Sequence, residues 1–411
     1  MFPRFARRFF NKAAKVVQTF PEEPLGLSVA ELAGFYAPSL TSTLNEMYTL
    51  IGKLGWGIHS SVWLARDIRQ QHIHQRYVAA KILSTHASEV QGKLAHELDV
   101  LRRINKNDAK TYPGRKHVAT LLDDFTIADH HGPHLCLVFE ALGDFKGSVY
   151  PSGTRLPLAA IKSIARQLLL ALDFLHRDRK IVHTDLKPEN LLLSLPDAEQ
   201  VIQRYLAEVS TLESSTSAGA MSGSSIPVVL SHPLIPFGPG DTVSANFEIQ
   251  LADFGTAAMV DGQHADTIQP VALRAPEVII GTGWGTSVDI WSLGWLLFEF
   301  LTGAWLFQPL GGATWSPEAF HLAHMPGVTG DEFDLSYIRQ GKNFERYFTP
   351  EGLMNLKVRG VADLDSALTS YNVLDDVEKQ RFVEFVRPML RLKPSDRPTA
   401  AELLKHEWIK A

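Results

Sequence analysis

The stretch His183-Thr184-Asp185-Leu186-Lys187-Pro188-Glu189-Asn190 decides how this chain is read. It places three polar functions within six residues, just after a long apolar-patterned segment and just before Leu191-Leu192-Leu193. Asp185 is suited to accept or orient the proton of a hydroxyl. Lys187 can neutralise charge on a group in transfer, and Asn190 can hold a metal ion. An ordinary solvated loop has no need of that set at that spacing.

Working outward, Ile161, Ile164, Ala165, Leu168, Leu169, Leu172 and Leu175 recur at steps of three and four, which predicts one long amphipathic helix leading into the stretch. Further helices are expected at 289–302, 376–390 and 400–406. On the N-terminal side the period changes. Residues 48–54, 62–67 and 77–83 read as strands, 93–104 as a helix, and 121–126 and 134–140 as two more strands. The expected fold class is therefore α+β and bilobal: a small antiparallel sheet with one main helix, then a larger, mostly α-helical lobe. The boundaries are a basic N-terminal extension 1–47, a first lobe 48–142 and a second lobe 143–411. A compositional break interrupts the second lobe. Residues 211–225 are more than half Ser and Thr, and 231–240 are rich in Pro and Gly, so about 195–245 reads as a mobile spacer with one helix at 197–209.

Composition narrows the classes. The 411 residues are 45 % hydrophobic and 21 % charged, which is globular. With 40 basic against 45 acidic residues, net charge −5, a bulk-basic nucleic-acid binder is excluded and no direct nucleic-acid contact is expected. Cys136 is the single cysteine, so a disulfide framework or a Cys-rich zinc site is impossible and a reducing compartment fits. The longest apolar run, residues 290–301, is about 12 residues, short of the roughly 20 that a membrane span needs. Arg4, Arg7, Arg8, Lys12 and Lys15 alternate with Phe2, Phe5, Phe9 and Phe10, without an acidic residue among the first twenty. That pattern reads as a disordered basic tail, with an organelle-import presequence as the second reading.

Four more motifs share the chain order. Gly55-Trp56-Gly57-Ile58-His59-Ser60-Ser61-Val62 puts glycines between two strands, where backbone amides can approach phosphate oxygens and Val62 can cover a purine. Val78-Ala79-Ala80-Lys81 sets a lysine among apolar neighbours, a costly placement without charge partners. Phosphates and a helix carboxylate would supply them, with Glu97 the expected partner and Glu89 the alternative. Leu251-Ala252-Asp253-Phe254-Gly255 offers a hard carboxylate for a hard cation, with Phe254 packed inward and Gly255 making the turn. Ala275-Pro276-Glu277 and Asp289-Ile290-Trp291-Ser292 complete the set. Glu277 is expected to pair with Arg397, and Asp289 to brace the loop around Asp185. His72, His74, His130 and His131 lack metal-site spacing and read as solvated surface, as does the charged loop Asp331-Glu332-Phe333-Asp334.

Together these residues resemble the eukaryotic protein kinase family over residues 48–408. Within it the chain is most similar to the SR-protein (serine/arginine-rich) kinases of the fungal type. The marks are Leu54-Gly55-Trp56-Gly57 with Ser60 where a third glycine is usual, and Val62-Trp63-Leu64-Ala65-Arg66-Asp67. Others are Asp123-Asp124-Phe125, Val138-Phe139-Glu140-Ala141-Leu142-Gly143, His183-Thr184-Asp185, and the spacer before Asp253. The resemblance implies a serine/threonine kinase using ATP and Mg2+, with Lys81, Glu97, Asp185 and Lys187 as catalytic residues. The nucleotide would be held by Leu54, Gly55, Gly57, Val62, Ala79, Lys81, Phe139, Glu140, Leu142, Asn190 and Asp253, with Phe139 as gatekeeper and Glu140 and Leu142 as hinge. Asn190 and Asp253 would hold the metal. It also implies a protein substrate, Arg/Ser-rich splicing factors among the candidates, a monomer, and cytoplasmic and nuclear residence, with mitochondrial import by the basic N-terminus as the minor alternative. Thr184 stands where most of the family has arginine, which implies activity without activation-loop phosphorylation. Pro270-Val271-Ala272-Leu273 departs from the Thr-Arg-Gln-Tyr-like run of those kinases. A catalytically weak pseudokinase scaffold is the alternative function, and a small-molecule kinase a third; the Ala275-Pro276-Glu277 segment argues against the last.

Overall fold

The computed structural model describes residues 22–69, 77–106, 112–151, 154–195, 197–216, 228–237, 247–262, 264–358 and 360–410. The basic stretch with Arg4 to Lys15, His72, His74 and most of the Ser/Thr-rich run therefore lie outside the described residues.

The first lobe is a six-stranded antiparallel sheet of order β1-β2-β3-β4-β6-β5. Its strands are β1 (Thr43–Leu44), β2 (Tyr48–Gly57), β3 (Ser60–Asp67), β4 (Tyr77–Leu83), β5 (Leu121–Asp129) and β6 (Gly132–Glu140). β2 and β3 run further toward each other than their composition suggests. Gly57 pairs with Ser60, so only Ile58 and His59 turn, and the glycine-rich segment is part of the sheet. Between β4 and β5 lie α1 (Thr85–Glu89), capped by the Ser84 hydroxyl, and α2 (Glu97–Ile104). The helix expected from 93 begins only at 97, because Gly92 at φ +73° and the turn to His96 interrupt it. Val100, Leu101 and Ile104 bury the inner face of α2.

The boundary expected at 48 is corrected. Strand β1 and residues 22–44 pack on this lobe: Leu44 is in the core of the sheet, and Glu22 and Glu23 are buried against Lys53. A chain segment with apolar and paired-acid positions joins the nearest sheet whatever its net composition.

After the short β7 (Gly143–Asp144) and α3 (Phe145–Ser148), α4 (Leu158–Asp173) carries the predicted apolar stripe. A π turn, Phe174–Arg179, extends it, and Lys180 at φ +57° ends it. β8 (Ile181–Val182) follows at once, so the stretch from His183 starts from a fixed origin. β9 (Leu191–Leu193) and β10 (Ile249–Leu251) pair beside it, and β11 (Ala258–Met259) pairs with β8. The spacer helix α5 (Ala198–Thr216) packs through Ile202, Tyr205 and Val209 onto Leu64 and Tyr77 of the sheet. The described part of the spacer is thus structural. The helix expected at 197–209 is found and runs further, because a few apolar residues at helical spacing were enough to bury one face.

α6 (Pro276–Ile280) and α7 (Ser287–Thr302) form the floor of the second lobe, with α8 (Pro317–Thr329) alongside. α7 is buried from Val288 to Thr302, the pattern of a helix that is apolar all round. Helix 376–386 passes into a 3-10 turn at Arg387–Leu390, where Pro388 cannot continue the ladder, and the last α-helix stops at Leu403. Among the described residues no helix is long and apolar enough to cross a membrane. Cys136 is fully buried, and burial pushes its thiol up to about 12.

The expected Glu277–Arg397 pair is present, bidentate at 2.6 and 2.7 Å, with both side chains shut off from solvent. Arg397 also stacks over Trp291, 5.0 Å from the ring centroid. Removing one partner strands a buried charge. Glu277→Ala should therefore destabilise the fold by about 3–5 kcal/mol, whereas Glu277→Leu with Arg397→Met should recover much of that loss; urea unfolding of both variants measures it.

Candidate active site

The site gathers at the junction of the lobes, in a cleft of about 470 Å³. β2 and β3 supply its roof: Leu54, Gly55, Gly57 and Val62 line it, with Ala79 on β4. A Cβ added at Gly55 or Gly57 would meet nothing within 4 Å, so both face open space. Phe139, Glu140 and Leu142 line the connection between the lobes. Apolar Leu54, Val62, Ala79 and Leu142 at one end and charged Lys81, Asn190 and Asp253 at the other give the cleft two chemically distinct halves.

The charged half is built around Lys81. Its Nζ lies 2.6 Å from Glu97 Oε1 and 3.0 Å from Asp253 Oδ1. Burial would lower the pKa of that ammonium, but the two carboxylates more than reverse it and hold Lys81 charged. Burial pushes the Glu97 carboxyl up, against the pull of Lys81. The Lys81 ammonium beside the half-exposed Asp253 holds that carboxyl well below the usual carboxylate range. Glu89, the alternative partner, is on the exposed side of α1. The turn expected at Gly255 is found, closed by Ala257 N donating to the Phe254 carbonyl at 3.1 Å. Asp253, just ahead of it, takes the left-handed backbone at φ +62°, and its Oδ1 lies 3.3 Å from where a Cβ at Gly255 would sit. Phe254 is buried and meets the His183 ring edge-on at 5.1 Å.

Asp185, Lys187 and Asn190 form the second cluster. Lys187 Nζ donates to Asp185 Oδ2 at 2.6 Å, and Asn190 Nδ2 donates to the Asp185 carbonyl and carboxylate at 2.7 and 3.0 Å. Ala252 N donates to the Asn190 carbonyl at 2.9 Å, which ties this loop to the segment carrying Asp253. Asp185 faces an adjoining hollow of about 800 Å³ shared with Thr256, Thr267, Pro270 and Arg274. It therefore stands between the nucleotide-sized cleft and a second approach. The brace from Asp289 is also found: its carboxylate accepts from His183 N and Thr184 N, both at 2.8 Å.

Segment 256–275 is tied by a hydroxyl, an amide side chain and Arg274. Thr184 Oγ1 donates to the Thr256 carbonyl at 2.9 Å. Gln269 Nε2 donates to Val288 O and Ser292 Oγ, and its Oε1 accepts from Ala275 N. Arg274 donates to the carbonyls of Ile268 and Gln269 and pairs with Glu318 at 3.3 Å. The acidic loop at 331–334 stays out of both hollows. Asp331 and Asp334 pair with Arg391 and Lys393, and Asp334 caps the helix at Leu335.

A metal ion and a triphosphate fit the residues present. Among the described residues no cluster of three or more His, Cys, Asp or Glu could hold a metal alone. Asn190 and Asp253 offer two oxygen donors beside a lysine, the donor set that suits Mg2+ when phosphate oxygens and water complete its shell. Sequence reasoning missed Pro233, Leu234 and Asp144, which also line the cleft. Pro233 and Leu234 lie in the Pro/Gly-rich part of the spacer, where no periodicity marked them.

The protein kinase domain family matches residues 48–204 and 241–409. The chain is 31 % identical over 419 residues to the serine/threonine-protein kinase SRPK of Physarum polycephalum, covering 95 % of this chain and 92 % of the relative. It is 30 % identical to protein kinase dsk1 of Schizosaccharomyces pombe, over 89 % of this chain and 81 % of that one. SRSF protein kinase 3 of Mus musculus is 26 % identical, over 92 % and 88 %. A crystal structure of a kinase domain superposes with a TM-score of 0.64 at 24 % identity, covering 91 % of this chain and 98 % of that one.

Since Lys81 is the largest influence keeping Asp253 ionised, Lys81→Met leaves only the weaker pull of His183 and the Gly255 N–H on that carboxyl, against desolvation and the neighbouring Glu97. Its pKa should then rise into or above the usual carboxylate range. A ¹³C NMR titration of the Asp253 carboxyl reads this; a pKa that stays depressed in Lys81→Met contradicts it.

Proposed function

From the premise that this chain belongs to the protein kinase domain family, as an SR-protein-kinase-like serine/threonine kinase, we propose that its cleft transfers the γ-phosphoryl of ATP to hydroxyls of an Arg/Ser-rich protein substrate. The observation that carries the site assignment is that Lys187 and Asn190 both reach the Asp185 carboxylate, at 2.6 and 3.0 Å, and line the same cleft as Lys81, Glu97 and Asp253. In this reading the adenine occupies the apolar half of the cleft under Leu54 and Val62, against the backbone of Glu140 and Leu142. The triphosphate tail runs toward Lys81.

The substrate hydroxyl enters from the hollow that Asp185 faces. Its oxygen bonds to the γ-phosphorus, the bond to the bridging oxygen breaks, and the proton passes to the Asp185 carboxylate. Lys187 neutralises charge on the phosphoryl in flight, and Lys81, positioned by Glu97, holds the phosphates that stay behind. Asn190 and Asp253 would hold Mg2+, which supplies charge neutralisation on the phosphates when bound. Catalysis here is placement and electrostatics, which is why so many of these groups are fixed by two or more partners. A catalytically weak scaffold is not supported, since each of these groups is present. The Arg/Ser preference draws on the names of the relatives; in this chain the neighbouring Pro270–Leu273 segment is apolar. Cytoplasmic and nuclear residence belongs to the same proposal.

Three outcomes test the reading. Asp185→Ala should slow phosphoryl transfer by about 10²–10⁴-fold with little change in ATP affinity; full residual turnover removes Asp185 from its role. Thr256→Ala and Thr267→Ala should leave turnover nearly unchanged, because the segment is held by Gln269, Arg274 and a backbone carbonyl; a large loss would show that it needs a phosphate. A peptide array should show Arg/Ser-repeat peptides phosphorylated ahead of acidic or Pro-directed ones.

A further inference from the structure

The nucleotide cleft has a wall that comes from the spacer. Residues 228–237 run from β2 to the connection between the lobes. At one end His232 N donates to the Lys53 carbonyl at 2.8 Å. At the other, Asp144 N donates to the Leu234 carbonyl at 2.7 Å, and Arg204 of α5 donates to the carbonyls of Ile235 and Pro236 at 2.8 and 2.9 Å. Between these ties Pro233 and Leu234 line the cleft beside Leu54 and Leu142. Leu234 is 1 % exposed and packs with Ala141, Ile202 and Tyr205.

Two glycines make room for this arrangement. A Cβ at Gly143 would lie 2.8 Å from Pro236, and one at Gly52 would lie 2.3 Å from the Tyr205 hydroxyl. Neither glycine has the positive φ that would otherwise demand it. Both are small because the spacer sits on top of them.

The strap is anchored by a buried ammonium. Lys53, just before Leu54 and Gly55, is 1 % exposed. Its three N–H groups have three acceptors: Glu22 Oε2 at 2.6 Å, Glu23, and the Val229 carbonyl at 3.1 Å. Ser231 donates to Glu22 from both its backbone N and its hydroxyl, at 2.6 and 2.7 Å. Burial would raise the Glu22 carboxyl, but the hydrogen bonds from Lys53 and Ser231 hold it below its ordinary value. A buried charge persists only where its partners are fixed. The N-terminal segment, the strap and the strand leading into the glycine-rich turn are therefore locked together at one point.

We propose that residues 228–237 are a fixed wall of the nucleotide site, with Pro233 against the nucleotide and buried Leu234, together with Lys53, Glu22 and Glu23, holding the wall in place. ATP affinity is then set in part by two segments outside the matched kinase elements that bracket the cleft. This rests on the reading of the cleft as the ATP site, and the test separates the two. Leu234→Ala removes the buried side chain that seats the wall on Ala141, Ile202 and Tyr205 without touching the ion cluster. Glu22→Gln with Glu23→Gln leaves the ion cluster without its carboxylates and leaves the cleft lining intact. Binding of ATP and of ADP is measured by calorimetry on the full chain, and kcat and KM for ATP with a peptide substrate. Both variants should weaken nucleotide binding roughly five- to tenfold, with the loss in KM rather than kcat. Unchanged affinity in Leu234→Ala overturns the wall while leaving the nucleotide site standing. Tighter binding in either variant also overturns it, since the strap would then be an obstruction. A parent chain that binds neither nucleotide overturns the site reading and the wall with it.

Discussion

A carboxylate with no solvent contact holds the catalytic geometry together. Asp289, in the first turn of α7, accepts hydrogen bonds from His183 N, Thr184 N and His176 Nε2, each at 2.8 Å. Burial alone would raise its pKa, but these donors hold it low and ionised. That matters because Thr184 lies at φ +71°, a backbone region that a β-branched residue adopts only under constraint. The strain is held by Asp289 on one side and by the Thr184 hydroxyl bond to Thr256 on the other. Asp185, Lys187 and Asn190 take their positions from that backbone, so the chemistry of the loop depends on a helix that is otherwise apolar.

The two lobes meet through a different device. Glu97 belongs to the first lobe and Asp253 to the second, and Lys81 bridges them. Such a triad pays heavily in desolvation, and its members are held in place by partners on more than one element. Segment 256–275, by contrast, is fastened by an amide side chain, by Arg274 on backbone carbonyls and Glu318, and by the exposed pair of Asp266 with Lys342. None of these ties needs an added phosphate, which agrees with threonine at 184 in place of a cation.

The catalytic loop was legible because short-range chemistry wrote it: an acid, a cation and an amide within six residues have few other uses. The choice of Glu97 over Glu89 was also legible, since only Glu97 lies on a helix long enough to bury one face. The turn at Gly255 was legible from the glycine itself, whereas the left-handed backbone of Asp253 just ahead of it was not. The spacer was half legible. Ile202, Tyr205 and Val209 at steps of three and four lie in the helix expected at 197–209, but nothing in the surrounding Ser, Gly and Pro marked what it packs on. Nothing local announced that Pro233 and Leu234 reach the cleft.

By itself the sequence determined the fold class, the order of the lobes and the candidate groups for the chemistry, because periodicity and functional side chains are local properties. Tertiary structure alone decided which distant segments close the site. Glu22 and Glu23 reach Lys53, and Leu234 reaches Asp144, across separations that no spacing rule covers. Their meeting follows from burying one ammonium and filling the space above Gly52 and Gly143, requirements that exist only once the chain has packed.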